Sequence, residues 1–506
     1  MTIFNIKTKK GNTASYDSDQ LAGKGARKIV YFSPDRSYVV AFYKGALDPE
    51  DRQRIESIIN QYTKSIFEQE GGDYWKEVLC WMTDSFEIDG RSGIVLPAYP
   101  KRFIFEFGSF ENDKCRIQGK DKRAKWFTSP TNRFKVLDPK ERGNDWKKYL
   151  QSCLCIVRGV QRLHASGLAH GDLSYNNVLV DPLNGTAHII DIDELIVPNK
   201  FPPRVLGSVD FTAPEVVATK HLRMSDINRK KPSIRTDCHA LAVLIYHLLL
   251  CRHPLRGSKC HDPEDSILDE TLVMGEKALF IEHPTDTSNR PSVSKAEPFS
   301  LPWADVQKIP YTITGPHLKE LFDRAFIECL HVPHDRPTAS EWQQGLIRTM
   351  DLLLPCQNPA CQQKWFIFDH SKSARCPFCG SAYASTVPVL EFHSKQPKAD
   401  DFRSENIHFV VHHNQYFYRW HTDKNLFPNE KLKSEQKKPV GYFSFHQGRW
   451  VFVNQNLQSM ITIDSETGRE TSIKCNSMFE LKNNQWIVFS TECHGRRALV
   501  KFHNNH

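Results

Sequence analysis

The chain has 506 residues, 40% hydrophobic and 25% charged, which suits two to four globular domains and excludes a disordered or fibrous chain. Its 67 Lys and Arg against 59 Asp and Glu leave a net charge of +8, which a solvated surface explains as well as a nucleic-acid face. The longest apolar run, Ala240–Cys251, is too short to span a bilayer, and fourteen cysteines without a signal-type N-terminus predict a reducing, cytoplasmic setting.

Residues 20–45 alternate apolar and polar and predict a strand–turn–strand. From Pro49 to Phe67, Ile55, Ile58, Ile59, Tyr62 and Ile66 fall at helical spacing behind a Pro and acids. Two apolar runs follow, Val78–Met82 and Gly93–Ala98. The basic stretch from Lys114 to Lys148, with Arg116, Lys120, Lys122, Arg123 and Lys125, is expected to be a solvated loop. A long helix is predicted over 146–168, strand and loop over 170–197, and helices over 236–252 and 317–350. This gives a β-rich part and then an α-rich part, ending near Leu354 where Pro355 breaks the pattern. A cysteine cluster follows, then a polar stretch, 391–405, expected to be a linker. From 406 onward aromatic and β-branched alternation, with turn signals at His413-Asn414 and Asn483-Asn484, predicts a small all-β domain.

The richest chemistry lies in His170-Gly171-Asp172-Leu173-Ser174-Tyr175-Asn176-Asn177 and Ile189-Ile190-Asp191-Ile192-Asp193. Asp172 suits a carboxylate that receives a hydroxyl proton, and Asn177 and Asp191 supply the oxygens a hard cation prefers. Any one of these alone would more often be a turn or cap residue; their order and spacing together argue for a site.

These segments resemble the catalytic loop H-R-D-L-x-x-x-N and the metal loop D-F-G of eukaryotic-like protein kinases. Gly207-Ser208-Val209-Asp210-Phe211-Thr212-Ala213-Pro214-Glu215 resembles the end of that family's activation segment. Asp237, before Ala240-Leu241-Ala242-Val243, resembles the Asp that tethers the catalytic loop, and Asp335-Arg336-Pro337-Thr338 the late Arg that pairs with the A-P-E Glu. The resemblance implies a buried Glu215–Arg336 ion pair. Gly23-Lys24-Gly25-Ala26-Arg27-Lys28 is similar to the phosphate-covering loop, with Lys28 in place of the third Gly. Val40-Ala41-Phe42-Tyr43-Lys44 is similar to the strand that carries the phosphate-binding Lys. The resemblance then makes Lys44 that lysine, Glu56 its helix partner (Glu68 being the alternative), and Pro97-Ala98-Tyr99 the hinge that holds adenine.

The sequence departs from the family at three places. Gly171 replaces the Arg that pairs with a phosphorylated activation loop, Ser174 replaces a Lys beside the transferred phosphate, and Ile192-Asp193 replaces Phe-Gly. None of these removes the proton acceptor or a metal ligand.

Cys356-x4-Cys361 and Cys376-x2-Cys379 supply four thiolates from two short loops, the donor set of a structural Zn²⁺ site. The spacing resembles a zinc ribbon. The C-terminal β segments are faintly similar to forkhead-associated β-sandwiches, without that family's phosphothreonine-reading residues.

The expected architecture is α+β: a bilobal protein-kinase domain over 1–354, a zinc ribbon over 355–390, a linker over 391–405 and an all-β domain over 406–506. The implied activity is ATP- and Mg²⁺-dependent phosphorylation of Ser or Thr in proteins. Asp172, Lys44, Asn177 and Asp191 are the expected catalytic residues. Gly23, Gly25, Lys44, Glu56 and Ala98 are expected at the nucleotide, and Asn177 and Asp191 at Mg²⁺. The alternative is a pseudokinase scaffold that binds ATP without transfer. The architecture also resembles bacterial kinases of tellurite- or stress-type operons, which implies a metal-dependent phosphatase and a von Willebrand A-type protein as partners.

Overall fold

The computed structural model describes residues 2–197, 200–203, 207–370, 373–395, 401–492 and 494–503. Two compact units emerge. One comprises Met1–Gly143, Lys148–Tyr311 and Glu320–Gln343; the other comprises Asn144–Lys147, Thr312–Lys319 and Gln344–His506. Among the described residues no helix is long and apolar enough to cross a membrane.

The first unit opens with an antiparallel hairpin, β1 (Ile3–Lys7) and β2 (Thr13–Asp17). A five-stranded antiparallel sheet follows, built from β3 (Leu21–Lys24), β4 (Lys28–Phe32), β5 (Tyr38–Tyr43), β6 (Asp84–Ile88) and β7 (Arg91–Pro97) in the order β3-β4-β5-β7-β6. Strand alternation gives this sheet two faces. On one, Val40, Phe86 and Val95 bury against Ile6 and Ala14 of the hairpin, with Phe42 packed beside them. The helix Pro49–Ser57 starts where the Asp48 carboxylate accepts the Asp51 amide and Pro49 presets the first turn. It runs on through a wide turn at Ile58–Tyr62 into Thr63–Phe67.

The α-rich part is organised by the helices Trp146–Ala165 and Ile234–Leu250. The second is buried from Thr236 to Leu250, and a reciprocal Ser233–Thr236 capping box fixes its start. Between these helices the hairpin β8 (Val178–Asp181) and β9 (Thr186–Ile189) joins the two chemistry-bearing loops. The stretch 317–350 is not continuous. It breaks into helices Pro316–Asp323 and Ala339–Met350, with Pro333 and Pro337 between them. Nor is the basic stretch wholly solvated. Lys122 and Glu141 form a 2.7 Å ion pair with both side chains buried, and Arg133 is fully buried.

In the second unit β10 (Leu353–Pro355) pairs with β11 (Trp365–Ile367) beside the cysteine loops. The strands that follow are β12 (Val387–Lys395), β13 (Phe402–Val410), β14 (Gln415–Tyr418), β15 (Pro439–His446), β16 (Arg449–Asn454), β17 (Met460–Ile463), β18 (Glu470–Ile473), β19 (Ser477–Glu480), β20 (Trp486–Val488) and β21 (Arg496–His503). They form a six-stranded sheet, β13-β12-β21-β20-β17-β18, and a four-stranded sheet, β14-β15-β16-β19. Both sheets contribute to one aromatic core that includes Phe392, Phe409, Phe417, Phe443, Phe452 and Phe489.

The linker expected over 391–405 is corrected by this sheet. Residues 391–395 belong to β12, which lies between β13 and β21, and 402–405 belong to β13; residues 396–400 lie outside the described residues. The stretch looked polar because Glu391 and His393 alternate with buried Leu390 and Phe392. The cysteine loops and the β-sandwich also share one compact unit, where separate domains were expected.

Candidate active site and metal centre

The catalytic-loop segment is held from below by Asp237. Its carboxylate accepts the amides of His170 at 2.6 Å and Gly171 at 3.0 Å, and His164 Nε2 lies 3.2 Å away. His170 Nε2 donates to the Ile190 carbonyl at 3.0 Å, tying this loop to the residue before Asp191. The departure at Gly171 has a steric cause. Its φ is +78°, and an added Cβ would stand 2.5 Å from Ile196 Cδ1, so a side chain here is both strained and crowded.

Asp172 is oriented through both oxygens. Oδ1 accepts the amide and hydroxyl of Ser208 at 2.7 and 2.9 Å, and Oδ2 accepts Asn177 Nδ2 at 2.9 Å. The same Nδ2 donates to the Asp172 carbonyl at 2.8 Å. With its amide nitrogen fixed on Asp172, Asn177 has its side-chain oxygen to offer a cation. The Ile190 amide donates to the Asn177 carbonyl at 3.0 Å, which brings the metal loop alongside. Asp191 sits at φ +63° with 46% of its side chain exposed, so its carboxylate is open to solvent. Ser174 is fully buried and its Oγ accepts the Asn176 amide, so this position supplies no cation.

The phosphate side differs from expectation. Lys44 lies one residue beyond β5, exposed, with Nζ on the Gly25 carbonyl at 2.5 Å. By alternation it belongs with Val40 and Phe42, on the face that packs against the N-terminal hairpin. Glu56 is likewise away from its expected role: it is half-buried and pairs with Lys9 at 2.5 Å. The Ala98 amide is engaged by the Ser37 carbonyl at 3.1 Å, so a hinge contact at 98 cannot use it. Gly23 lies within β3, opposite Val30 and beside an irregularity in the register, and Gly25 lies in the turn to β4, where its amide donates to the Lys28 carbonyl. An added Cβ meets nothing within 4 Å at Gly23 and only the Lys28 carbonyl, at 3.9 Å, at Gly25. Packing therefore does not demand glycine there, which is consistent with close approach of a ligand to the backbone.

The cation that does reach the metal loop is Lys28. Its Nζ lies 2.8 Å from Asp191 Oδ1 and 2.6 Å from Asp193 Oδ1. Lys28 faces Tyr43 directly across β4 and β5, and the Tyr43 hydroxyl donates to Asp193 Oδ2 at 2.6 Å. Burial works against charge on both Lys28 and Asp193, but the pair outweighs it: Lys28 is held above its usual range and Asp193 below its own. Burial, reinforced by Asp193, keeps Tyr43 protonated as a donor. Beside this cluster Arg27 pairs with Glu194. Arg123 donates to the Asn176 carbonyl at 3.1 Å, fixing the catalytic loop from the basic stretch.

Further from the chemistry, Arg336 forks onto Glu215 with bonds of 2.9 and 2.7 Å and also donates to the carbonyls of Cys329 and Leu330.

In the second unit the four cysteine sulfurs lie within 4.8 Å of one another. Cys356 and Cys379 are 3.5 Å apart, and Cys361 and Cys376 are 3.8 Å apart. A tetrahedron with Zn–S bonds of about 2.3 Å has edges of about 3.8 Å, so this donor set fits Zn²⁺. Gly380, at φ +74°, lets its amide turn back onto the Cys376 carbonyl at 2.8 Å and shapes the second loop. His370 instead packs against His408, with ring centroids 4.1 Å apart and the planes tilted by 37°.

Residues 133–345 match the family model of the protein kinase domain. The match begins beyond the strands that bear Lys28 and Tyr43. Among curated proteins, the chain is similar to a putative ribosomal protein S6 kinase alpha-1 of Caenorhabditis elegans. The two are 29% identical over 134 residues, 26% of this chain and 15% of that protein. It is also similar to the serine/threonine-protein kinase PSK2 of Saccharomyces cerevisiae, 26% identical over 148 residues, 28% of this chain and 12% of that protein. The similarity thus spans less than a sixth of either relative.

Proposed function

We propose that the chain is a protein kinase that transfers the γ-phosphate of ATP to Ser or Thr hydroxyls of protein substrates. The observation that carries this reading is the Asp172–Asn177 pair, joined through the Ile190 amide to Asp191. Mg²⁺-bound ATP, when present, supplies the phosphoryl group and the charge neutralisation. Asn177 and Asp191 would hold the metal with oxygen donors, which suit a hard cation. Asp172, fixed on both oxygens, orients the acceptor hydroxyl and takes its proton. Preference for Ser and Thr rests on the name of one curated relative, the serine/threonine-protein kinase PSK2 of Saccharomyces cerevisiae. The four cysteines would hold a structural Zn²⁺ and leave no open position for catalysis.

Labelled ATP and Mg²⁺, offered with candidate protein substrates, test this directly. Label is expected to appear with the wild-type protein and to fall at least a hundredfold in Asp172→Ala and Asp191→Ala. Equal labelling in all three contradicts the mechanism. The second reading, a scaffold that binds nucleotide without transfer, is favoured by the buried Ser174 where a cation is expected; nucleotide binding without label selects it.

The β-sandwich is proposed as a recognition or scaffold module. A cytoplasmic, bacterial stress-signalling role, with a metal-dependent phosphatase and a von Willebrand A-type protein as partners, is proposed on domain architecture alone.

A further inference from the structure

We propose that Lys28, not Lys44, is the cation that meets the nucleotide's phosphates, and that Asp193 and Tyr43 are its positioning residues. The lysine is then braced by the metal loop and the neighbouring strand, not by the helix Pro49–Ser57. This rests on the phosphotransfer reading above.

Three observations carry it. First, Lys28 Nζ lies 2.8 Å from Asp191, the carboxylate that would hold the metal, so a phosphate bridged by that metal falls within the lysine's reach. Lys44 Nζ instead lies on a loop carbonyl, on the opposite face of the sheet. Second, the β4–β5 register places Lys28 opposite Tyr43, and both side chains converge on the two oxygens of Asp193. Asp193 has only 2% of its side chain exposed. A buried carboxylate is retained when it is paired and hydrogen-bonded, and here one cation and one hydroxyl do both. Third, the helix glutamate expected to brace a lysine is engaged elsewhere, and Asp51 lies 3.9 Å from Arg27 and not on Lys28. Glu56 pairs with Lys9 at the surface, and buried Arg54 donates to the Pro202 carbonyl at 2.7 Å while lying 3.5 Å from Asp51.

A consequence follows for control of the site. Asp191 and Asp193 stand two residues apart on one loop, so displacing that loop removes a metal ligand and the lysine's brace together. Movement of the helix alone leaves the Lys28–Asp193 contact in place.

The test measures affinity for a fluorescent ATP analogue with Mg²⁺, and kcat and KM for transfer, in the full chain. Lys28→Met is expected to weaken binding at least tenfold and to lower kcat/KM at least a hundredfold, with partial recovery in Lys28→Arg. Lys44→Met is expected to stay within twofold of wild type. Asp193→Asn and Tyr43→Phe are expected to raise KM for ATP severalfold, with Asp193→Glu recovering part of the loss. Because Lys28→Met strands a buried carboxylate, Lys28→Met/Asp193→Asn is run beside it and must show the same loss of affinity. Loss in Lys44→Met with none in the Lys28 variants overturns the assignment. Wild-type KM in Asp193→Asn overturns the brace. A wild-type protein that binds nucleotide but transfers nothing refutes the kinase reading, and the affinity arm still decides for or against Lys28. Absence of nucleotide binding by the wild type overturns both.

Discussion

At the scale of single residues, the domain shows how much depends on which face a side chain takes. Lys44 follows Tyr43 by one position, yet that step moves it from the face that meets Asp193 to the face that meets the hairpin. The strand could be read from its alternation, but not the register that makes Tyr43 and Lys28 partners, because pairing between strands leaves no mark within either one. Lys28 was visible only as the residue that spoils a glycine pattern. Glu215 and Arg336 were easier, since each stands in a short motif. Arg336 has 1% of its side chain exposed and accounts for both Glu215 oxygens. Arg336→Met is therefore expected to destabilise the first unit by about 3 kcal/mol, the low end for a broken buried pair because Glu215 keeps some exposure. Urea denaturation checks this, and a loss under about 1 kcal/mol contradicts it.

Among elements, the cysteine loops translate most directly from sequence to structure, since four thiols at this spacing leave little choice of geometry. Their sulfur separations fit a zinc tetrahedron. Purified protein is expected to carry one zinc ion per chain, to lose it in Cys361→Ser or Cys376→Ser, and to melt at a lower temperature after chelation. Full zinc content in either variant, read by elemental analysis, contradicts the site. The strand β12 was hidden by its own alternation. Glu391, His393 and Lys395 read as linker when the buried partners between them are not counted, and the pairing with β21 is more than a hundred residues distant. The cross-strand pair in the first unit offers an element-level check. Exchanging roles in Lys28→Ala/Tyr43→Lys places an ammonium on the same face, and it is expected to recover nucleotide affinity relative to Lys28→Ala. No recovery would mean that position on that face is not what matters.

For the molecule as a whole, buried histidines make acid stability the most telling bulk property. His239, His247 and His253 all lie buried around the helix Ile234–Leu250, and burial lowers each, His247 to about 4. His253 Nε2 donates to the Asp210 carbonyl while its Nδ1 accepts the Leu255 amide, an arrangement that only the neutral ring allows. In the unfolded chain these rings titrate near pH 6.5, so between about pH 6.5 and pH 4 the unfolded state binds more protons. Stability is therefore at its plateau above about pH 6.5 and falls as pH drops, by about 1.4 kcal/mol per pH unit for each ring. The melting temperature is expected to fall steadily from pH 7 to pH 5; a flat profile contradicts the neutral assignments.

The central claim is that one cleft gathers Lys28, Asp172, Asn177 and Asp191 around a nucleotide's phosphates and their metal. A crystal structure with Mg²⁺ and a non-hydrolysable ATP analogue tests it most directly. The expected result is the metal on Asn177 and Asp191, with Lys28 Nζ on a phosphate oxygen and Asp172 facing the γ-phosphate. Phosphates held by Lys44, or a metal with neither Asn177 nor Asp191 among its ligands, would contradict it.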